Sequence, residues 1–413
     1  MTRILISFLC LWLGLSTAVL ANIKDDIFSA VKLRQYDTVK SLMAAGVDYD
    51  QPDEKGYTPL FYASIKGYPQ MTSLLIASGA NANKVGRRGW TPLLGAALHG
   101  HDTIVSSLLD NGADINHRNS ENFSALMLAV QRKNHQTAQL LLQRGAQRFF
   151  LDKPNTISVK SLLALAVQNN DVAMVDLLLA AGVSINTEST ATAPILFSAA
   201  ALDDNVMLNL LIKKSANLKQ RDQAGNSLLH FAAVKSKPTV LSAVLKTKPE
   251  LTTVNAQGDT ALVLAAKAGT VDNMRRLLAL ANREQQQAAL FAAITSGQKS
   301  MVEAILAEGV EAKVINNDGT TTLMAAVKGR HDHLLPLLIA QGADIEARNN
   351  KGQTALLLAV QTAPVKLKTV VALVDAGADI NAKDTHGNNA MMLVKQTKGK
   401  QQQSLIDALN KST

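Results

Sequence analysis

The chain has 413 residues, 47% hydrophobic but only 4% aromatic, with a formal net charge of +9 and one cysteine. Length alone suggests two or three globular domains, but an apolar complement of Ala, Leu and Val suits closely stacked helices better than one large core. The positive charges are dispersed as singlets and doublets such as Arg87-Arg88, Lys213-Lys214 and Arg275-Arg276. That pattern argues against nucleic-acid binding, which calls for a clustered basic stripe.

The first 21 residues have the order of an export signal. Arg3 precedes an apolar run over 4–15, and 16–21 is a small-residue region ending in Val19-Leu20-Ala21. Cleavage is expected after Ala21, with Val19 at the −3 position. A retained N-terminal anchor is the alternative, because 4–21 approaches the length of a span. Cys10 lies inside this segment, so the mature chain would carry no thiol, no disulfide and no Cys-ligated metal. Export without cysteine fits a bacterial envelope protein, and the periplasm is the expected compartment. Secretion beyond the cell is the other possibility that a signal leaves open.

Residues 23–47 form a short, polar first unit carrying Lys24, Asp25, Asp26, Lys32 and Lys40, as a capping unit would. The clearest unit is 88–116. Thr91 is placed to N-cap a helix and Pro92 to occupy its first position. Leu93, Ala96 and Ala97 form an apolar stripe at helical spacing. Gly100 can end that helix and Asp102 open the next, whose apolar face is Ile104, Val105, Leu108 and Leu109. Gly112 stops it, and Asp114 and Asn116 begin an outward loop. This unit recurs every 33 residues: Gly46, Gly79, Gly112 and Gly145; Thr58, Thr91 and Ser124; Ala63, Ala96 and Ala129. Gly225 to Gly258 and Gly319 to Gly352 repeat the interval. A helix pair this short cannot bury its own apolar face, so the units must stack.

Irregularities mark the rest. Residues 147–160 extend a loop and carry Phe149 and Phe150. The fifth unit resumes at Ser161, and the sixth, 193–216, has Ser215 where a glycine would end its helix. Around 281–286 the outward loop is almost deleted, which suggests a seam near 282–286. Pro336 falls within a second helix and predicts a kink. The eleventh unit has extra residues near Ala363 and Pro364, and the last carries a polar insert at 395–403. The total is about twelve helix-turn-helix units, counting both caps.

YTPLFYAS (57–64), WTPLLGAA (90–97), NSLLHFAA (226–233) and GADIN (112–116 and 377–381) resemble the ankyrin repeat, with its TPLH-x-A core and GAD-type turn. The resemblance covers nearly all of 23–413. It implies an all-α ankyrin-repeat solenoid following the signal peptide. The family's TPLH histidine survives only as His230; the equivalent positions hold Phe61, Leu94, Met127, Val263, Met324 and Leu357.

Nothing points to catalysis or to a cofactor. Ser29-Ala-Val-Lys32 matches S-x-x-K without its companion motif, and no phosphate-binding loop or nucleophile elbow is present. His99/His101 and His331/His333 are two apart and do not share a helix face, so no metal site is expected. Function should then lie on exposed repeat positions. The resemblance implies that partners meet the residues around the turn glycine and the exposed end of the first helix. These are Glu54, Lys55 and Tyr57; Arg87, Arg88 and Trp90; Ser120, Glu121 and Phe123; with Lys66, His99 and Arg132. Tyr57, Trp90 and Phe123 at one phase beside two arginines resemble an interface hot spot; packing between adjacent loops is the other explanation. The expected function is a non-catalytic envelope scaffold for another protein, with a bias toward acidic partners. The alternatives are a binder of envelope polymer or anionic lipid, and a secreted effector that binds host proteins.

Overall fold

The structure is a computed structural model, and it describes residues 27–148, 161–186, 194–202, 205–235, 237–316, 318–396 and 401–410. The segment 1–21, and the 147–160 insertion from 149 onward, lie outside the described residues. Two compact units divide the chain, 1–216 and 217–413. Residues 282–286 lie inside the second.

Among the described residues, each unit is a stack of six helix-turn-helix repeats with no strand. In the first unit the helices are 27–32 with Tyr36–Ala44, Pro59–Lys66 with Pro69–Ala77, Pro92–His99 with Asp102–Asp110, Ala125–Gln131 with His135–Gln143, Leu162–Gln168 with Val172–Ala180, and Ile195–Ala200 with Val206–Lys213. In the second they are Leu228–Ala233 with Pro238–Leu245, Ala261–Ala268 with Val271–Leu278, and Arg283–Thr295 with Lys299–Ala307. Thr322–Lys328 with Leu335–Ala340, Ala355–Gln361 with Leu367–Asp375, and Ala390–Gln396 with Gln402–Asn410 complete it.

One chemistry starts the first helices. The side chains of Thr58, Thr91, Ser124, Ser161, Thr260, Thr321 and Thr354 each accept a hydrogen bond from the N–H three residues on. That satisfies one of the donors a helix start leaves orphaned. Five residues past the cap stands an alanine, as at Ala63, Ala96, Ala129, Ala166, Ala232, Ala265 and Ala326, each with no exposed surface. A methyl there lets neighbouring first helices approach closely, and a larger side chain would overpack the stack. Leucines on both helices, such as Leu93 and Leu108, fill the space between layers. Apart from that of repeat 8, which closes on the right-handed Ala279, the second helices of repeats 1 to 11 end in a left-handed residue. That is usually glycine, but Ser215 and Lys248 adopt it at φ 64° and 51°, a strain of roughly 1 kcal/mol each relative to glycine.

Three local expectations change. Asp102 is the first helical residue rather than the cap, which is His101 with no side-chain capping bond; the Asp102 carboxylate instead accepts from the Thr137 hydroxyl of the next repeat. Pro336 does not kink a helix interior. The second helix of repeat 10 begins as a 3-10 turn, Asp332–Leu334, and Pro336 sits in the first turn of the α-helix that follows, where a missing N–H costs nothing. The missing loop at 281–286 is replaced by helix: Arg283–Thr295 runs for 13 residues from a reciprocal Asn282/Gln285 capping box.

Candidate partner-binding surface

Among the described residues, most loops between repeats are hairpins built around one Asx residue. Oδ1 of Asp53 accepts from the N–H groups of Lys55 and Tyr57, and Oδ1 of Asn119 from those of Glu121 and Phe123. Asp222, Asn255, Asn349 and Asp384 repeat this pattern in the second unit. The loop of repeat 3 departs from this pattern, because Gly86 stands where the Asx belongs. A Cβ on Gly86 would come within 2.8 Å of the Gly56 carbonyl oxygen and 2.9 Å of the Tyr57 ring, so the neighbouring loop forbids a side chain. The hairpin bond from Gly86 N–H to the Trp90 carbonyl survives at 2.7 Å. Without the side-chain anchor, Arg87–Gly89 tightens into a 3-10 turn with Arg88 left-handed at φ 55°. Its carbonyl accepts from Ser120 N–H at 2.8 Å, and its guanidinium lies 3.9 Å from Glu121.

Of the residues singled out from the sequence, Lys55, Lys66, Arg87, Arg88, His99, Ser120, Glu121 and Arg132 are exposed, as is Glu54. Tyr57, Trp90 and Phe123 are half-buried. Among the described residues no ring contact joins Tyr57 to Trp90 or Trp90 to Phe123. Tyr57 instead stacks on Phe61 at 4.3 Å between centroids and meets Tyr62 edge-on at 6.2 Å.

Tyr62, Phe61 and Lys32 are not among the partner-facing positions read from the sequence. Tyr62 donates to Asp53 Oδ2 at 2.7 Å, and the Lys32 ammonium lies 4.5 Å from its ring centre. Burial and the Asp53 hydrogen bond push the Tyr62 hydroxyl up to about 12. Burial works against the Asp53 charge, but the Tyr57 N–H, the Tyr62 hydroxyl, the Lys55 N–H and Lys32 together hold its carboxyl below the usual range. A compositional signal was available, since all five tyrosines fall between 36 and 68.

A further pattern appears when the residue before each helix cap is paired with the residue seven after it. In repeats 8, 10 and 11 of the second unit these pairs bind each other, whereas repeat 7 sets Asn226 with an exposed Val234. Lys267 Nζ donates to Asp259 at 2.6 Å, Lys328 Nζ to Thr320 Oγ1 at 3.0 Å, and Gln353 pairs with Gln361. In the first unit the same two positions hold Tyr57 and Ile65, Trp90 and Leu98, Phe123 and Gln131, every one half-buried except the exposed Gln131. The polar bridge of repeats 8, 10 and 11 is thus replaced by an aromatic–aliphatic pair in repeats 2 and 3. Gly95 lies beside it, and a Cβ there would stand 3.3 Å from Ile65.

Four of the histidines bridge neighbouring repeats through backbone carbonyls. His101 Nε2 bonds the Ile65 carbonyl, His117 that of Gly89, His331 that of Thr295 and His333 that of Gly297, each joining adjacent repeats. Asn134 and Gln298 do the work of His101 in other repeats, donating to Ala97 and Lys267 carbonyls. His230 is fully buried between Ser227, at 2.7 Å, and the Asp259 carbonyl, at 2.9 Å. Among the described residues no group of His, Cys, Asp and Glu is arranged to hold a metal ion, and no helix is long and apolar enough to cross a membrane.

Stacked helical hairpins with hydrogen-bonded loops and exposed first-helix ends define a helical-repeat scaffold of the kind that presents a recognition surface. The chain belongs to the ankyrin repeat family: the model for ankyrin repeats, in three copies, matches residues 27–119, 88–149, 195–287, 233–315 and 290–384. Ankyrin repeats generally mediate protein–protein binding and are typically non-enzymatic. Among solved structures, the human ASB11 ankyrin repeat domain is similar, with 27% identity over 55% of this chain and 99% of that one, at a TM-score of 0.46. No curated protein matches the sequence.

Proposed function

We propose that this chain is a non-catalytic scaffold of the bacterial envelope, and that it binds another protein through the loops and first-helix ends of its first unit. The observation that carries this reading is the contrast between the two units. Positions that satisfy one another in repeats 8, 10 and 11 are apolar and half-buried in repeats 2 to 4: Tyr57, Ile65, Trp90, Leu98 and Phe123. Half-buried aromatics rimmed by charge are the usual anchors of interfaces. The rim here is mostly cationic, with Lys55, Lys66, Arg87, Arg88 and Arg132 against Glu54 and Glu121, so it favours an acidic partner.

The experiment is capture of envelope proteins on the purified mature chain, beside sedimentation with cell wall and with anionic liposomes. A protein retained by the wild-type chain and lost with Trp90→Ala is the expected result. Co-sedimentation with wall or liposomes alone would replace this reading with that of a polymer or lipid binder. N-terminal sequencing of the envelope form should give Asn22; an intact Met1 in the membrane fraction would mean an anchored protein.

A further inference from the structure

The first-helix ends of repeats 2, 3 and 4 place Lys66, His99 and Arg132 at the same position, eight residues past the caps Thr58, Thr91 and Ser124. All three are exposed. Neighbouring packed helices stand about 8–10 Å apart, so the three form a row with that spacing. It matches the Debye length at physiological salt, about 8 Å, so each member feels its neighbours. Three residues of an extended, polyproline-like peptide also span about 9 Å. A segment lying along the row would therefore bring every third side chain opposite one member.

We propose that His99 makes the affinity of this face for an acidic segment depend on pH, protonation turning a row of two cations into a row of three. The inference rests on the reading that the first unit binds an acidic protein partner. Partial burial and the charges of His101, Arg132 and Lys66 hold the His99 imidazole below its ordinary value, so it is neutral at neutral pH and gains its proton only as the solution acidifies. The charged groups facing it come from all its neighbours: Lys66 from repeat 2, Arg132 from repeat 4, and His101 from its own turn, whose ring lies 5.9 Å away. Asp102, the carboxylate closest in sequence, is occupied by the Thr137 hydroxyl. His101 is itself bound to the Ile65 carbonyl through Nε2, which leaves His99 as the member of the pair free to face a partner. A carboxylate placed over His99 would add the missing countercharge and stabilise the protonated form.

The probe is a dye-labelled peptide with Asp at every third position and Leu and Ser between, compared with one of equal composition whose Asp residues are clustered. Binding is measured for wild type, His99→Gln and Trp90→Ala at about pH 7.5 and about pH 5.5, where Asp side chains remain ionised. The expected result is a rise in wild-type affinity of roughly three- to fivefold at the lower pH, the scale of one partly exposed ion pair. It should be absent in His99→Gln and weaker for the clustered peptide, and His99→Gln should melt with wild type because the side chain is exposed. If His99→Gln keeps the full pH dependence, the inference is wrong while the binding face stands, as Trp90→Ala will confirm by losing affinity at both pH values. If wild type binds neither peptide at either pH, the acidic-partner reading fails and this inference fails with it.

Discussion

The two units are built to one plan and finished differently. Both cap their first helices with Thr or Ser, both bury an alanine five residues on, and both fold their loops around Asx side chains. These positions are fixed because every repeat must accept the next. The residue before the cap and the residue seven after it are not fixed by stacking, and there the units diverge. In the second unit, Asp259 with Lys267 and Thr320 with Lys328 close on themselves. In the first, Trp90 and Leu98 present carbon instead. A surface that has satisfied its own polar groups has less to offer a partner than one that leaves aromatic area half-covered.

The largest effect should come from the second unit's interior. His230 is the one residue that keeps the family's buried histidine, and it holds Ser227 and the Asp259 carbonyl at once. His230→Ala would open a cavity, remove the capping box with Ser227 and leave the Asp259 carbonyl only its Asn255 N–H, at a cost of about 2–4 kcal/mol. Urea melts should show that loss in the second unit and leave binding by the first unit intact. Burial, with the charge of Arg221, keeps this imidazole below its ordinary value despite the Asp259 bond. The sign follows: below about pH 6.5 the unfolded chain takes up a proton that the folded chain still refuses, so stability falls as pH falls. His230→Met, which copies Met127 of the first unit, should flatten that part of the profile. An unchanged profile would place the acid sensitivity elsewhere.

The second effect tests the contrast at its centre. Trp90→Ala should weaken partner binding by about 2 kcal/mol or more, with a smaller change in melting temperature, because Trp90 lies outside the buried stripe of Leu93, Ala96 and Ala97. Trp90→Asp with Leu98→Lys would install the second unit's polar bridge in the first, and should abolish binding without unfolding the repeat. If Trp90→Ala lowers the melting temperature sharply while affinity per folded molecule is unchanged, Trp90 is loop packing and the site is misplaced.

Much of the fold was legible because it is periodic. The 33-residue spacing of Thr58, Thr91 and Ser124 marks real caps, and Gly100 ends its helix in the left-handed conformation as its position implies. What escaped was pairwise. Tyr57 reads as one of three equivalent aromatics, yet Phe61 and Tyr62 are specific to repeat 2 and draw its ring onto themselves. Gly86 reads as a routine loop glycine, but its lack of a side chain is imposed by Tyr57 of the preceding loop. The deleted loop at 281–286 reads as a loss, whereas Asn282 and Gln285 turn the shortened segment into helix. Each case depends on a contact between repeats, which a period in one sequence does not record.

That helix carries the third prediction. Repeat 9 has no hairpin loop, so it has no residue to set against the aromatic position of the first unit. Its start depends on Asn282, whose side chain accepts from Gln285 N–H while Gln285 returns a bond to the Asn282 backbone. Asn282→Ala should cost about 1 kcal/mol, and amide exchange should rise over 283–286. We propose that this stretch opens before the rest of the second unit even in wild type, because solenoid stability is a sum over neighbouring repeats and this one has lost its loop contacts. Uniform protection from 261 to 328 would contradict that.

The smallest effect is expected at Lys267, and its smallness is informative. The Lys267 side chain is 43% exposed, and its Asp259 partner 14%. An ion pair open to solvent on one side contributes about 0.2–1 kcal/mol, so Lys267→Met should barely move the melting temperature and should lose what effect it has at high salt. If the bridge exists only to stabilise repeat 8, nothing else will change. If its other consequence is to keep this face closed to partners, Lys267→Met will give the second unit an apolar position matching Ile65 and Leu98, and the variant should retain weak binders that the wild-type second unit does not. A change of more than about 2 kcal/mol in stability would instead make the pair a structural element, and the polar bridges could no longer be counted as the side of the comparison that is free to vary.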